Sequence, residues 1–113
     1  MEIIINNLTP HEINIIDKDG KVVKTFPSDG EARATQDEVE IRTVEGIPII
    51  KMTFGGPVGL PEPSDRVFYI VSVITAKAAK SSGRTTRDLF ITGKTVRNDK
   101  GQIIGCQSLC IFE

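Results

Sequence analysis

Closely spaced turn signals are the feature that most restricts what this chain can fold into. Clusters of Gly, Pro, Asn and Asp interrupt the sequence at 17–20, 27–30, 45–46, 92–93 and 98–101. The segments between these turns are short, and many alternate apolar with polar residues, so they predict β-strands joined in hairpins. The predicted strands cover residues 2–6, 11–17, 21–26, 32–36, 38–44, 47–54, 67–71, 87–91 and 94–98, and residues 102–112 close the chain.

Two strands in the middle of the chain carry more specific signals. In 38–44 the alternation predicts that Val39 and Ile41 point into a core, with Thr43 as a third candidate. Pro48 has no backbone N–H to donate, which places the strand 47–54 at a sheet edge or a bulge. Residues 67–71 form the most apolar run and predict a central, buried strand.

One segment favours a helix. Residues 72–80 are rich in alanine, which has high helix propensity, and Ser72 can cap the first turn. A chain of 113 residues is long enough for one domain, and its 39% hydrophobic content predicts a lean core that an oligomer interface would extend. The sequence therefore predicts a single α+β domain over residues 1–113, mainly antiparallel β-sheet built from hairpins, with one or two short helices.

The charges are distributed unevenly along the chain. Residues 1–65 hold 6 basic and 12 acidic groups (−6), and residues 66–113 hold 8 basic and 3 acidic groups (+5), which sum to the formal net charge of −1. This balance argues against a broad DNA-binding surface, but the basic segment could hold one compact anion. The alternative is that the two halves simply form ordinary surface ion pairs. No apolar run approaches the ~20 residues of a membrane helix, so no membrane partner is predicted.

The two cysteines and the single histidine give little indication of catalysis or metal binding. If Cys106 and Cys110 lie on one strand, their Cα atoms are about 13 Å apart and cannot be bridged, which predicts reduced thiols and a cytosolic protein. His11 follows Thr-Pro and fits a turn residue better than a general base. We find no sequence motif for an enzyme, and we predict no metal and no cofactor.

An anion site is the most specific binding feature that composition suggests. The loop 81–87 concentrates hydroxyls, a glycine and two arginines, and the planar guanidinium suits phosphate oxygens. Neighbouring aromatic side chains could stack on a purine. The alternative is a solvated loop beside core aromatics. The candidate ligand-binding residues are Arg84, Thr86, Arg87, Arg97, Asn98, Phe68 and Tyr69.

Two longer segments support a resemblance to a known family. The first contains Asn-Leu-Thr-Pro-His at 7–11, and the second, at 96–106, reads Val-Arg-Asn-Asp-Lys-Gly-Gln-Ile-Ile-Gly-Cys. In this order they resemble small phage and prophage proteins that start with N-L-T-P-H and end with V-R-(D/N)-x-x-G-x-(I/V)-(I/V)-G-C. The Thoeris anti-defence sponge proteins are similar to this pattern, and the resemblance covers nearly the whole chain.

The resemblance implies a binding protein that does no chemistry. Such sponges sequester the cyclic ADP-ribose signal of the bacterial Thoeris defence system, and some also bind cyclic oligonucleotide signals. They act in the host cell cytosol as homo-oligomers built from dimers, some of them hexamers. Arg97 falls in the V-R motif, and Arg87 begins an Arg-Asp-Leu element that we expect to be shared. Asn98 stands where the family more often has an acid.

Two other classes remain open from the sequence. The protein could be a small phage structural or interaction protein with no nucleotide ligand. It could also be a small enzyme, such as a phosphodiesterase acting on the signal, although one histidine provides little machinery for that reaction.

Overall fold

The computed structural model describes residues 2–112, and in that part of the chain it contains ten strands and one helix. The strands form two four-stranded sheets and one two-stranded sheet. The elements, in chain order, are β1 (Ile4–Asn7), β2 (Ile13–Ile16), β3 (Val22–Phe26), β4 (Gln36–Val44), β5 (Ile47–Phe54), β6 (Val67–Ile70), α1 (Val73–Ser81), β7 (Leu89–Thr92), β8 (Thr95–Arg97), β9 (Ile103–Cys106) and β10 (Leu109–Ile111).

The first sheet has the order β1-β6-β7-β10. Strands β1, β6 and β7 are parallel, and β10 is antiparallel to β7. The helix α1 connects the parallel neighbours β6 and β7, as such a crossover requires. Ser72 caps α1 because its Oγ accepts a hydrogen bond from the Thr75 N–H at 3.2 Å. The prediction of a short, Ser72-capped helix is thus confirmed.

The second sheet has the order β3-β2-β9-β8. It consists of two hairpins, β2–β3 and β8–β9, which meet where β2 runs parallel to β9 with Ile15 opposite Cys106. The predicted turn at 98–101 is confirmed, since the Gly101 N–H donates to the Asn98 carbonyl at 2.9 Å. The Asn98 side chain also accepts from the backbone of Lys100 and Gln102.

Two core clusters lie on opposite faces of β6. Tyr69 and its neighbours in the first cluster pack with alanines of α1, whereas Ile70 packs with Ile13 and Cys106 of the second sheet. The first sheet is therefore the middle layer, covered by α1 on one face and by the second sheet on the other. We call these layers together the body. Residues 67–71 supply its central strand, as predicted.

The third sheet, β4–β5, extends from the body, and we call it the arm. All nine residues of β4 are exposed, including Val39 at 49% and Ile41 at 52%. The prediction that Val39, Ile41 and Thr43 face a core within the chain is therefore wrong. The radius of gyration is 16.7 Å, against about 13 Å for a compact domain of this length. Pro48 does lie at a sheet edge, because a two-stranded sheet has no central strand.

Other expectations need correction. The class is α+β and mostly sheet, as predicted, but three of the strand pairs are parallel. Residues 102–112 divide into β9 and β10, which belong to different sheets. The two cysteines consequently lie on separate strands, although both are free, with Cys106 buried and Cys110 exposed.

The predicted strand at 32–36 is not formed: residue Arg33 makes only an isolated bridge with Val58, and Gln36 is the first residue of β4. No helix in residues 2–112 has the length and apolarity needed to cross a membrane.

Candidate functional site

The N-terminal motif is folded around the buried side chain of Asn7. Its Nδ2 donates to the carbonyls of His11 (2.8 Å) and Phe26 (3.0 Å). Its Oδ1 accepts from the N–H of Thr9 (3.0 Å) and from the Thr9 hydroxyl (2.7 Å). A fully buried amide with all these partners fixes the loop conformation. The motif therefore sets where His11 and the start of β2 lie.

The C-terminal motif contains a glycine at a point of close approach. A Cβ on Gly105 would lie 2.5 Å from the Asn14 carbonyl oxygen and 2.7 Å from Cδ1 of Ile16. Only glycine lets β9 come this close to β2. The Asn14 side chain reinforces the contact by donating from Nδ2 to the Ile104 carbonyl at 3.3 Å. β2, which directly follows the N-terminal motif, is thus joined to the C-terminal motif, although the two lie at opposite ends of the chain.

An open cavity of about 550 Å³ lies where the motifs meet. One wall comes from the N-terminal motif and β2, and the other from β8, β9 and the end of β7. The lining residues are His11, Glu12, Ile13, Asn14, Thr92, Thr95, Ile103, Ile104, Gly105 and Cys106. The volume lies within the range of small-molecule sites.

The cavity combines an apolar surface with a few polar groups. Ile13 and Cys106 are buried beneath it, while Ile103 and Ile104 are 58% and 43% exposed. The Thr92 and Thr95 hydroxyls and the His11 imidazole are the polar groups that can donate to a ligand here. Asn14 is already engaged, since its Oδ1 accepts from the Thr25 hydroxyl at 2.7 Å. Such a surface suits a flat, partly apolar ligand with hydroxyl or carbonyl groups.

Two of the seven predicted ligand-binding residues lie beside the cavity. Arg97 is two residues beyond Thr95 on β8 and is paired with Ile103, and both of these neighbours line the cavity. The Arg97 guanidinium is exposed and donates one hydrogen bond, to the Gly101 carbonyl at 2.7 Å. Asn98 follows in the hairpin turn, where its side chain holds the turn together. Arg97 is not itself a lining residue of the cavity, but it keeps free N–H groups two residues along β8 from Thr95.

Three predicted residues lie elsewhere, in the loop between α1 and β7. Arg84 forms a bidentate ion pair with Asp88, with both N–O distances 2.9 Å, and also donates to the carbonyls of Thr85 and Pro61. These bonds use the terminal N–H groups of the guanidinium, so Arg84 has a structural role in tying the loop to residues 55–65. Thr86 is half-buried and Arg87 is exposed. The loop lies before the start of β7, whereas Thr92, which lines the cavity, is the last residue of β7.

The two predicted aromatic residues occupy opposite faces of β6. Phe68 stacks on Phe90 with ring centroids 4.8 Å apart and planes 4° apart. Tyr69 is 5% exposed and packs in the core beneath α1. Each ring therefore has a packing partner within the chain, and the predicted purine-stacking role of both residues stays a prediction.

None of the ten cavity-lining residues was among the seven ligand-binding residues predicted from the sequence, and the polar donors that were missed are His11, Thr92 and Thr95. His11 belongs to the N-terminal motif and could have been found by asking which motif residues converge in space. Thr92 and Thr95 flank a turn and carry no distinguishing sequence signal. Within residues 2–112, no three His, Cys, Asp or Glu side chains cluster closely enough to hold a metal ion.

Comparison with known proteins gives no match: none of the protein-family models, the curated proteins or the solved structures is significantly similar to this chain. The functional argument therefore rests on the cavity and on the two sequence segments that form it.

Proposed function

We propose that the protein is a phage anti-defence sponge that binds and sequesters a cyclic ADP-ribose-type immune signal in the host cell cytosol. Cyclic oligonucleotide signals are the second ligand class. The observation that supports this proposal is the convergence of the two motifs. The segments that resemble the sponge family are about ninety residues apart in sequence, yet His11 at the end of the first motif and Ile103–Cys106 at the end of the second line one cavity.

The cavity chemistry is compatible with such a ligand. A cyclic ADP-ribose isomer presents a purine, ribose hydroxyls and a pyrophosphate. The apolar surface of Ile103 and Ile104 can contact the base, and the Thr92 and Thr95 hydroxyls can bond to ribose. Arg97, which is paired with the lining residue Ile103, offers guanidinium N–H groups for the pyrophosphate.

Sequestration requires tight binding and slow release rather than bond cleavage. We therefore propose that the protein is not an enzyme and returns its ligand unchanged. Affinity differences between related complexes reside mostly in the dissociation rate, so a sponge is characterised by retention. This distinguishes the proposal from a phosphodiesterase, which would release an altered nucleotide.

The proposal is tested by incubating the protein with cyclic ADP-ribose isomers and with cyclic di- and trinucleotides, removing free ligand, and denaturing the protein by heat. Recovery of an intact ligand, identified by mass spectrometry, is the expected result. A chemically altered ligand would indicate an enzyme. If no ligand is retained, the sponge proposal is wrong.

A matched pair of variants tests the position of the site. Arg97→Ala removes the guanidinium next to the lining residues of β8 and β9, and Lys100→Ala removes the same charge from the nearby hairpin turn. We expect Arg97→Ala to weaken ligand retention by about tenfold or more, the effect of losing one charge-assisted bond. Lys100→Ala should retain ligand, and both variants should keep their oligomeric state on sizing. Equal retention by all three proteins would place the site elsewhere.

One observation favours a second candidate, a small phage interaction protein with no nucleotide ligand. The arm exposes a row of large apolar side chains, which is typical of an interaction surface. The heat-release experiment separates the two candidates, because an interaction protein would form complexes through the arm and retain no nucleotide.

A further inference from the structure

Glu12 is the only formally charged side chain in the lining of the cavity at pH 7. Ten residues line the cavity, and Glu12 is the one Asp, Glu, Lys or Arg among them, with His11 neutral at that pH. Cys106, the other titratable lining residue, is 2% exposed. None of the contacts proposed above for the base, the ribose or the pyrophosphate involves the Glu12 carboxylate, so its role in the cavity is open.

The backbone on both sides of Glu12 is fixed, whereas its side chain is unpaired. The carbonyl of His11, immediately before it, accepts a hydrogen bond from Nδ2 of the buried Asn7 at 2.8 Å. Ile13, immediately after it, is buried and begins β2. Among residues 2–112, no hydrogen bond or ion pair engages the Glu12 carboxylate, and the residue is exposed. Both carboxylate oxygens are therefore available to a ligand in the cavity.

An ionised carboxylate in a ligand site selects for hydrogen-bond donors. It accepts through both oxygens and donates nothing, so it attracts O–H and N–H groups and repels phosphate. The two hydroxyls of a ribose 2,3-diol are adjacent, so both can donate to one carboxylate, and an acidic residue accepts from a ribose hydroxyl in dinucleotide-binding folds. The Thr92 and Thr95 hydroxyls on the opposite wall supply further partners for the same sugar.

The 2,3-diol separates the two ligand classes named above. Each cyclic ADP-ribose isomer keeps an intact diol on at least one ribose, because ring closure uses at most one ribose hydroxyl besides the anomeric one. In a cyclic oligonucleotide, every ribose has one of these two hydroxyls esterified in a phosphodiester, so no intact diol remains. Cyclic ADP-ribose and cyclic di-AMP both contain adenine and two phosphate groups, which makes the diol the clearest chemical difference between them.

We propose that Glu12 is a specificity-determining residue that recognises a ribose 2,3-diol and makes the cavity selective for cyclic ADP-ribose-type ligands over cyclic oligonucleotides. The proposal rests on the proposed function and deepens it, because it names the chemical group by which the two ligand classes are distinguished. The Glu12 carboxylate accepts from both hydroxyls of the diol, and its charge disfavours any pose that brings a phosphate against this wall of the cavity.

The test measures affinity by isothermal titration calorimetry at pH 8, where an imidazole is neutral, for the cyclic ADP-ribose isomers and for cyclic di-AMP. The wild type should bind at least one isomer about tenfold or more tightly than cyclic di-AMP. Glu12→Gln keeps the size of the side chain and removes its charge. It should weaken binding of that isomer by about tenfold or more and leave cyclic di-AMP binding unchanged or tighter. Glu62→Gln makes the same exchange on the exposed loop 55–65 and should match the wild type.

Deoxy analogues give a second measurement, which a merely structural role of Glu12 would not affect. Analogues of the bound isomer that lack one hydroxyl of the diol should bind the wild type about tenfold or more weakly than the isomer itself. Glu12→Gln should bind the isomer and the analogue within about threefold of each other, because the two changes remove the same contact and their effects are not additive.

Three results would each overturn the proposal: equal binding of isomer and cyclic di-AMP by the wild type, equal loss of both ligands in Glu12→Gln, or equal loss of the deoxy analogue by both proteins. Binding of cyclic di-AMP without binding of any isomer would also overturn it, whereas the sponge function would stand with its second ligand class. If the wild type binds neither class, the proposed function and the role of Glu12 both fail.

Discussion

The body and the arm are built from similar strands but differ in what covers them. In the body, Ile70 and Leu89 are completely buried, because β6 and β7 have α1 on one face and the second sheet on the other. In the arm, Ile41 and Ile47 remain 52% and 59% exposed. The comparison teaches that an apolar pattern fixes which residues share a face, but not whether the same chain provides the surface that covers that face.

The difference arises from how the strands are connected. The body strands pair across long sequence separations, as β1 does with β6 and β2 with β9, so each layer is held by several segments. In the arm, β4 and β5 pair only with each other, through a local turn at Glu45–Gly46, and β5 also contacts α1. A two-stranded ribbon alone is marginally stable in water. We therefore expect substitutions in the body to lower the free energy of unfolding more than equivalent substitutions in the arm.

The largest effect is expected where the two motifs meet. Gly105→Ala adds a Cβ that would lie 2.5 Å from the Asn14 carbonyl oxygen, so the contact between β2 and β9 must open. The free energy of unfolding should fall by about 3 kcal/mol, measured by urea denaturation. Gly56→Ala is the control, since nothing lies within 4 Å of its added Cβ, and it should change stability by less than about 0.5 kcal/mol. Similar values for the two variants would show that the contact is not tight.

The next effect concerns the loop after α1. Arg84→Ala leaves the largely buried Asp88 without its bidentate partner and removes the bond to the Pro61 carbonyl. We expect a loss of about 2 kcal/mol, between the values for surface and buried pairs. Arg87→Ala removes an exposed guanidinium from the same loop and should cost less than about 0.5 kcal/mol. If Arg87→Ala lowers the melting temperature as much as Arg84→Ala, the structural role given to Arg84 is wrong.

The smallest effect is expected from a pair of substitutions that compares the body with the arm directly. Val71→Thr places a hydroxyl at a site that is 2% exposed, and Val39→Thr makes the same isosteric change at 49% exposure. The first should cost about 1.5 kcal/mol more than the second. The measurement is thermal unfolding at concentrations low enough for the chain to be monomeric. Equal losses would mean that Val39 is buried within a single chain, contrary to the difference between arm and body.

Much of the fold could be predicted because its signals are local. The Ser72 cap with the alanines after it specifies α1, and the turns at 17–20, 45–46 and 98–101 specify three hairpins. The parallel pairing of β1 with β6 could not be predicted, because it joins segments more than sixty residues apart. The exposure of Val39 and Ile41 was missed because alternation indicates a face and says nothing of what covers it.

The candidate site was predicted less well, because its residues come from segments that are distant in sequence. Arg84, Arg87 and Arg97 lie within fourteen residues of one another, and that proximity suggested one anion site. The structure places the first two before β7 and the third at the end of β8, beside the cavity. The cavity itself needs His11 and Thr95 in one lining, which depends on β2 pairing with β9. Residues of both motifs line the cavity, but its position becomes evident only from how the strands pack.

The most direct test of the proposed function is a crystal structure of the protein with a retained signal nucleotide. The account predicts the nucleotide between the two motif walls, with its base against Ile103 and Ile104 and its pyrophosphate within reach of Arg97. A nucleotide bound instead beside Arg87 in the loop 81–87, with the cavity empty, would contradict it.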